Sequence, residues 1–224
     1  MKEQNEEKNL EVNGVIAKTE QYIEKNKKMI LTVAACVVVV VLAIFAYVKF
    51  VSQPRQLRAA EDMFAAEQWF NEGNFEKALN GDDQFAGFLT VIDEYGCTKS
   101  ANLAKYYAGI CQLNLGQFEE AVKSLKGYKG KDVFTAGEAL MLIGDAYAEM
   151  DNANEALNYY EKAAAKAENN FIVAPAALWK AGMMQLKLDN KDAAVKTFQK
   201  IKDNYPESPE YGEADKYISY AETK

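Results

Sequence analysis

The side chains able to do chemistry are few, and their types rule out more than they allow. The chain has 224 residues and no histidine. His-dependent triads, His-ligated metals and an imidazole acid–base are therefore excluded. Adjacent carboxylates occur at Asp82-Asp83 and Glu119-Glu120. Neighbouring side chains on a helix point in different directions, so both pairs read as solvated surface rather than a metal or acid–base site. Of the three cysteines, Cys36 falls in an apolar run, and Cys97 and Cys111 lie beyond it. Three thiols make no disulfide framework. Either Cys97 and Cys111 bridge in an oxidising compartment, or Cys111 serves as a small buried hydrophobe. No phosphate loop, Gly-rich dinucleotide turn, G-x-S-x-G or cysteine pair at metal spacing occurs. An enzyme is the disfavoured class, and no cofactor, metal or small-molecule substrate is implied.

What remains is binding, and the elements that would position a binding surface are legible. Residues 29–48 read MILTVAACVVVVVLAIFAYV, with no charge between Lys28 and Lys49. At about 1.5 Å per helical residue the run is about 30 Å long, the thickness of a bilayer's hydrocarbon core. Its only polar side chain is Thr32, so the run predicts a transmembrane helix. A cleaved secretion signal does not fit: its apolar core spans about 7–15 residues, and the 28 residues ahead of this run are too many and too mixed in charge. Lys18, Lys25, Lys27 and Lys28 precede the run, and Lys49, Arg55 and Arg58 follow it closely. That bias, with the short leading tail, favours an N-terminus in the cytoplasm and a C-terminal domain outside.

The segments divide accordingly into a tail (1–28), the membrane helix (29–48), a linker (49–58) and a helical domain (59–224). Residues 1–9 read as disordered, and Val12, Val15, Ile16, Thr19, Tyr22 and Ile23 as one face of a short amphipathic helix. Ser52-Gln53-Pro54 predicts a break or kink. Bases and acids cancel before residue 49, so the formal charge of −7 belongs to residues 49–224, where 20 bases face 27 acids. An acidic domain is repelled by phosphate backbones, which disfavours nucleic acid, and no nucleic-acid partner is expected.

From Arg55 onward Ala, Leu, Glu and Lys dominate and strand-like alternation is absent. Breaks at 71–74, 95–96, 115–116, 129–130, 151–152, 169–170, 189–190 and 205–206 predict about nine helices. The segments between them are alike. GNFEKAL (73–79), GQFEEAV (116–122), DNANEAL (151–157) and DNKDAAV (189–195) each read as a turn, a helix start and then a small residue: Ala78, Ala121, Ala156 and Ala194. Twelve positions before each alanine stands Ala66, Gly109, Gly144 or Gly182, and four after stands Leu125, Tyr160 or Phe198. Phe88 takes that place in the first unit, after an insertion near 80–87. The small pairs let two antiparallel helices cross closely.

This pattern resembles the tetratricopeptide repeat, a helix–turn–helix unit of about 34 residues. The third unit matches best, with Leu140, Ile143-Gly144, Tyr147, Ala156, Tyr160 and Ala163; the first is the most degenerate. The resemblance covers roughly 59–206. It implies an all-α solenoid of about four repeats, with 208–221 as a capping helix that Ser208 N-caps and Pro209 opens. In the family, the first helix of each unit lines a concave groove. By register this implies Met63, Glu67 and Phe70; Leu103, Tyr106 and Ile110; Met141 and Asp145; and Trp179, Met183 and Leu186. Such a set either binds an apolar helix or extended segment, or is ordinary core covered by the C-terminal helix through Tyr217 and Ile218.

The whole layout is similar to the YfgM-type ancillary subunits of the Sec translocon. It combines the tail with KTEQYIEKNKK (18–28), one signal anchor, and an acidic repeat domain ending in YPESPEYGEA (205–214). That resemblance implies protein partners: translocon subunits and a membrane-anchored prolyl isomerase chaperone, at the bacterial inner membrane with the domain in the periplasm. The alternative is an adaptor of an envelope assembly or secretion complex, such as outer-membrane biogenesis.

Overall fold

A computed structural model describes the backbone of residues 2–223 and the side chains of residues 24–223. Every element of more than one residue is helical, and the chain divides into two units, residues 1–54 and 55–224.

The first unit is α1 (Lys2–Tyr47) followed by a π-helical turn (Val48–Ser52). Residues 2–9, expected to be disordered, continue α1. The amphipathic face expected over 12–23 concerns side chains outside the described residues. In the apolar run, large side chains such as Leu31, Val39 and Phe45 stand about three-fifths exposed. Thr32, the one polar member, donates its hydroxyl to the Lys28 carbonyl at 2.9 Å. The helix that carries this run is long and apolar enough to cross a membrane. The break expected at Ser52-Gln53-Pro54 takes another form. Proline removes a donor from the ladder, and the backbone accommodates this by π-helical winding ahead of it, while Gln53 stays helical at φ −63°.

The second unit holds α2 (Gln53–Asn71), α3 (Phe75–Asn80), α4 (Phe88–Tyr95), α5 (Lys99–Asn114), α6 (Phe118–Gly127), α7 (Val133–Glu149), α8 (Ala153–Lys166), α9 (Val173–Lys187), α10 (Lys191–Asn204) and α11 (Pro209–Glu222). That is one helix more than the breaks predict. The inserted residues 81–87 split the second helix of the first pair. Gly81 (φ +81°) and Gly87 face each other's backbone so closely that neither has room for a Cβ. Asp82 ties the loop: its carboxylate accepts from the Gln84 and Phe85 amides at 3.0 Å and pairs with Lys77 at 2.8 Å. Lys77 first, then the amides, hold its pKa below the usual carboxylate range.

Four helix pairs remain: α2 with α3–α4, α5 with α6, α7 with α8, and α9 with α10. Each turns between its helices in the same way. Gly73, Gly116, Asp151 and Asp189 occupy the left-handed region at φ +76°, +72°, +57° and +56°. The next amide (Asn74, Gln117, Asn152, Asn190) returns 2.8–2.9 Å to the carbonyl five residues back. This Schellman closure satisfies the last carbonyls of the first helix and reverses the chain. Asn74 and Asn152 then cap the second helix through side-chain bonds to Lys77 and Glu155.

The pairs are held by glycines seated under large side chains. A Cβ on Gly144 would lie 2.5 Å from the Tyr160 ring, and one on Gly182 2.6 Å from Phe198; one on Gly109 would overlap Leu125. Each glycine thus receives the bulky residue sixteen positions on, while Ala121, Ala156 and Ala194 are fully buried. Phe88, in the split first pair, is fully buried in one cluster with Ala66 and Ala78. Tyr147 stacks on Tyr159 with ring centroids 5.5 Å apart. Cys111 is fully buried, Cys97 is exposed, and both are free thiols. α11 covers the last pair: Tyr217 lies edge-on to Trp179, centroids 4.9 Å apart, and 5.7 Å from Phe198. Ser208 does precede α11 and Pro209 opens it, but the serine hydroxyl makes no cap and is buried without a hydrogen-bond partner. The Tyr211 amide donates to the Ser208 carbonyl instead, and Pro209 has no amide to offer.

Candidate protein-binding groove

The first helices of successive pairs, α5, α7 and α9, bound a groove of about 660 Å³. Ile110 and Leu113 come from α5, Leu142, Asp145 and Glu149 from α7, and Lys180 from α9. Helical spacing explains the choice. Leu113 stands three after Ile110, and Leu142 and Glu149 flank Asp145 by three and four, so each set lies on one stripe. The walls are aliphatic and the centre is charged. Asp145 Oδ1 accepts from Lys180 Nζ and from the Tyr160 hydroxyl, each at 2.7 Å. Burial first, then the Asp145 charge, pushes the Tyr160 phenol well above its ordinary value. A neutral phenol and a paired carboxylate give the groove fixed donor and acceptor positions between apolar walls.

Of the eleven expected groove residues, Ile110 and Asp145 line this space. Others lie elsewhere. Met63 and Tyr106 are buried, at 3% and 7% exposure. Tyr106 donates to Glu138 of α7 at 2.7 Å, and burial and then that bond raise its pKa. Phe70 contacts the rings of Phe75, Phe88 and Tyr107. Glu67 is half-buried beside Tyr107, and desolvation raises its pKa. Leu103 bridges the first two clusters, and Met141 packs with Ala156 and Tyr160 of α8. Trp179, Met183 and Leu186 pack in the cluster that Tyr217 and Ile218 of α11 join. Leu113, Leu142, Glu149 and Lys180 were missed by the family register. Their signal is the i±3 and i±4 rows around Ile110 and Asp145.

Tetratricopeptide repeat models match residues 103–131 and 176–208, and a second such model matches 137–169. These ranges fall on the three regular helix pairs. A comparison with curated proteins gives no match. Among solved structures, a crystal structure of MamA protein aligns with TM-score 0.55 at 18% identity, covering 74% of this chain and 86% of that one. A second MamA crystal structure gives 0.51 at 19%, covering 70% and 92%. The nearly identical TPR-like repeats of a Podosopora anserina kinesin-light-chain-like protein give 0.54 at 15%, covering 76% and 86%. At such identities the likeness extends to the fold alone. Three of the helix pairs thus match tetratricopeptide repeat models, and the fold is a tetratricopeptide-repeat-like helical solenoid.

Proposed function

We propose that this chain is a membrane-anchored scaffold that captures a segment of a protein partner in the groove between α5, α7 and α9. Tetratricopeptide repeats are interaction scaffolds, and stacking creates the extended surface they use. The observation that carries the reading is the groove itself, with Ile110 and Leu142 as apolar walls around the Asp145–Lys180 pair. Tethering raises the local concentration of the domain, so weak contacts suffice.

On the finer scale we place it beside the Sec translocation channel, with a membrane-anchored prolyl isomerase chaperone as its neighbour. The anchor sits in the bacterial inner membrane and the domain in the periplasm. The support is the residue-level likeness to YfgM-type subunits and the basic residues before the apolar run. The domain acts by binding and carries no catalysis of its own. The second reading, an adaptor in outer-membrane assembly, uses the same groove.

Photocrosslinkers at Ile110 and Leu142, in native membranes, test this. Recovery of channel subunits supports the first reading and outer-membrane components the second. Ile110→Glu with Leu142→Glu should abolish capture while helical content stays unchanged. Capture that survives the pair sinks the groove. Met141 and Met183 do not line the groove and pack in other clusters, so substitutions there do not test it.

A further inference from the structure

A second cleft lies between α6 and α8, the second helices of two successive pairs, outside the groove described above. It measures about 390 Å³. Its floor is apolar: Leu125, Ala139 and Ile143 are each at most 5% exposed. Its rim carries Lys126, Lys129, Lys162 and Lys166, and among the described residues no carboxylate lines it. None of the four lysines has an ion pair within 4.0 Å among the described residues. That is unexpected in a chain with 33 acids and 26 bases, where carboxylates outnumber cations. Two of the ammonium groups lie against aromatic residues instead, and Lys126 donates to the Tyr147 hydroxyl at 3.0 Å. Lys126 lies 5.3 and 5.2 Å from the Tyr147 and Tyr159 ring centroids, and Lys162 lies 4.7 Å from that of Tyr159. Aromatic faces position a cation without neutralising it.

We propose that this cleft docks an acidic, amphipathic segment of a protein partner, its carboxylates on the lysines and an aliphatic or aromatic side chain on the floor. The size of the patch selects the occupant. Charges are screened over about 8 Å at physiological salt, so a short segment on the rim feels the four lysines and little of the acidic remainder. A nucleic acid or a bilayer reaches past the patch onto that remainder and is repelled. The concave apolar floor also suits a protruding side chain better than a flat surface.

The test uses the full chain in phosphatidylcholine nanodiscs and fluorescence anisotropy. The probes are a labelled peptide alternating glutamate with leucine and phenylalanine, its lysine counterpart, and a glutamate–serine peptide without apolar side chains. The acidic amphipathic peptide should bind, more weakly as salt rises, and the other two should not. Lys162→Glu with Lys166→Glu should weaken it at least about tenfold, and the corresponding glutamines less. Lys196→Glu with Lys200→Glu, on α10, should leave binding within about twofold. Circular dichroism of each variant confirms the fold. The proposal is overturned if no peptide binds, if the α8 and α10 variants weaken binding equally, or if phosphatidylglycerol vesicles or RNA, rather than the peptide, bind through Lys162 and Lys166.

Discussion

At the residue scale, the four turn positions invite a direct test. Gly73 and Gly116 sit at positive φ without a Cβ, whereas Asp151 and Asp189 carry one there. Left-handed backbone costs an L-residue about 1–2 kcal/mol, and glycine's greater unfolded-state freedom takes back part of any gain. Asp189 is almost fully exposed and reaches Lys191 only at 3.9 Å, so little else is lost with its side chain. Asp189→Gly should raise stability by about 0.5–1 kcal/mol, read by thermal melting. Gly144→Ala should do the reverse. The Tyr160 ring it would meet is tethered through its hydroxyl to Asp145 and cannot retreat. Overpacking should outweigh the better helix propensity and cost about 1–3 kcal/mol in a denaturant titration. Glu67 gives a pH signature. Its folded pKa is raised by desolvation, so its contribution is fully present below the ordinary carboxylate value and is lost as pH rises through the folded one. Glu67→Gln should therefore raise the melting temperature at neutral pH and leave it nearly unchanged in acid; an equal gain at both would exclude desolvation as the cause.

At the element scale, α11 is what closes the solenoid. Without it, Trp179 and Phe198 lose the ring of Tyr217, and the last pair presents an apolar face. A chain ending at Ser208 should melt earlier and associate, and Trp179 emission should shift to the red. Trp69, the other tryptophan, lies in the first pair and reports no change there. The split of α3 from α4 shows the opposite case, an element that departs from the repeat and still closes its core. Phe88 enters from the far side of the insertion and is fully buried with Ala66 and Ala78.

At the scale of the whole molecule, thiol chemistry reports burial and sidedness together. Cys111 is fully buried, and burial pushes its thiol up to about 12; Cys97 is exposed. A membrane-impermeant maleimide should label Cys97 in the native protein and reach Cys111 only after unfolding. Labelling of Cys97 on intact cells would support the outward domain we propose, and labelling only after lysis would reverse that orientation.

Composition and spacing alone determined the helix class, the turn positions, the apolar run and the glycine–alanine register. Each rests on interactions between residues near in sequence: hydrogen bonds within a helix, a turn five residues long, a glycine sixteen positions before its tyrosine. The groove was legible only in part. Ile110 and Asp145 line it, yet Met63, Tyr106 and Trp179 share their helical register and pack inward or beneath α11. A periodic stripe says which side chains share a face; which neighbour covers that face depends on how the pairs stack. The four lysines without ion pairs were equally invisible in a chain whose net charge is negative, because opposite net charge says nothing about where each cation lands. Tertiary packing brought them together by setting the end of α6 and the turn after it across from α8, around a cleft that no carboxylate lines among the described residues.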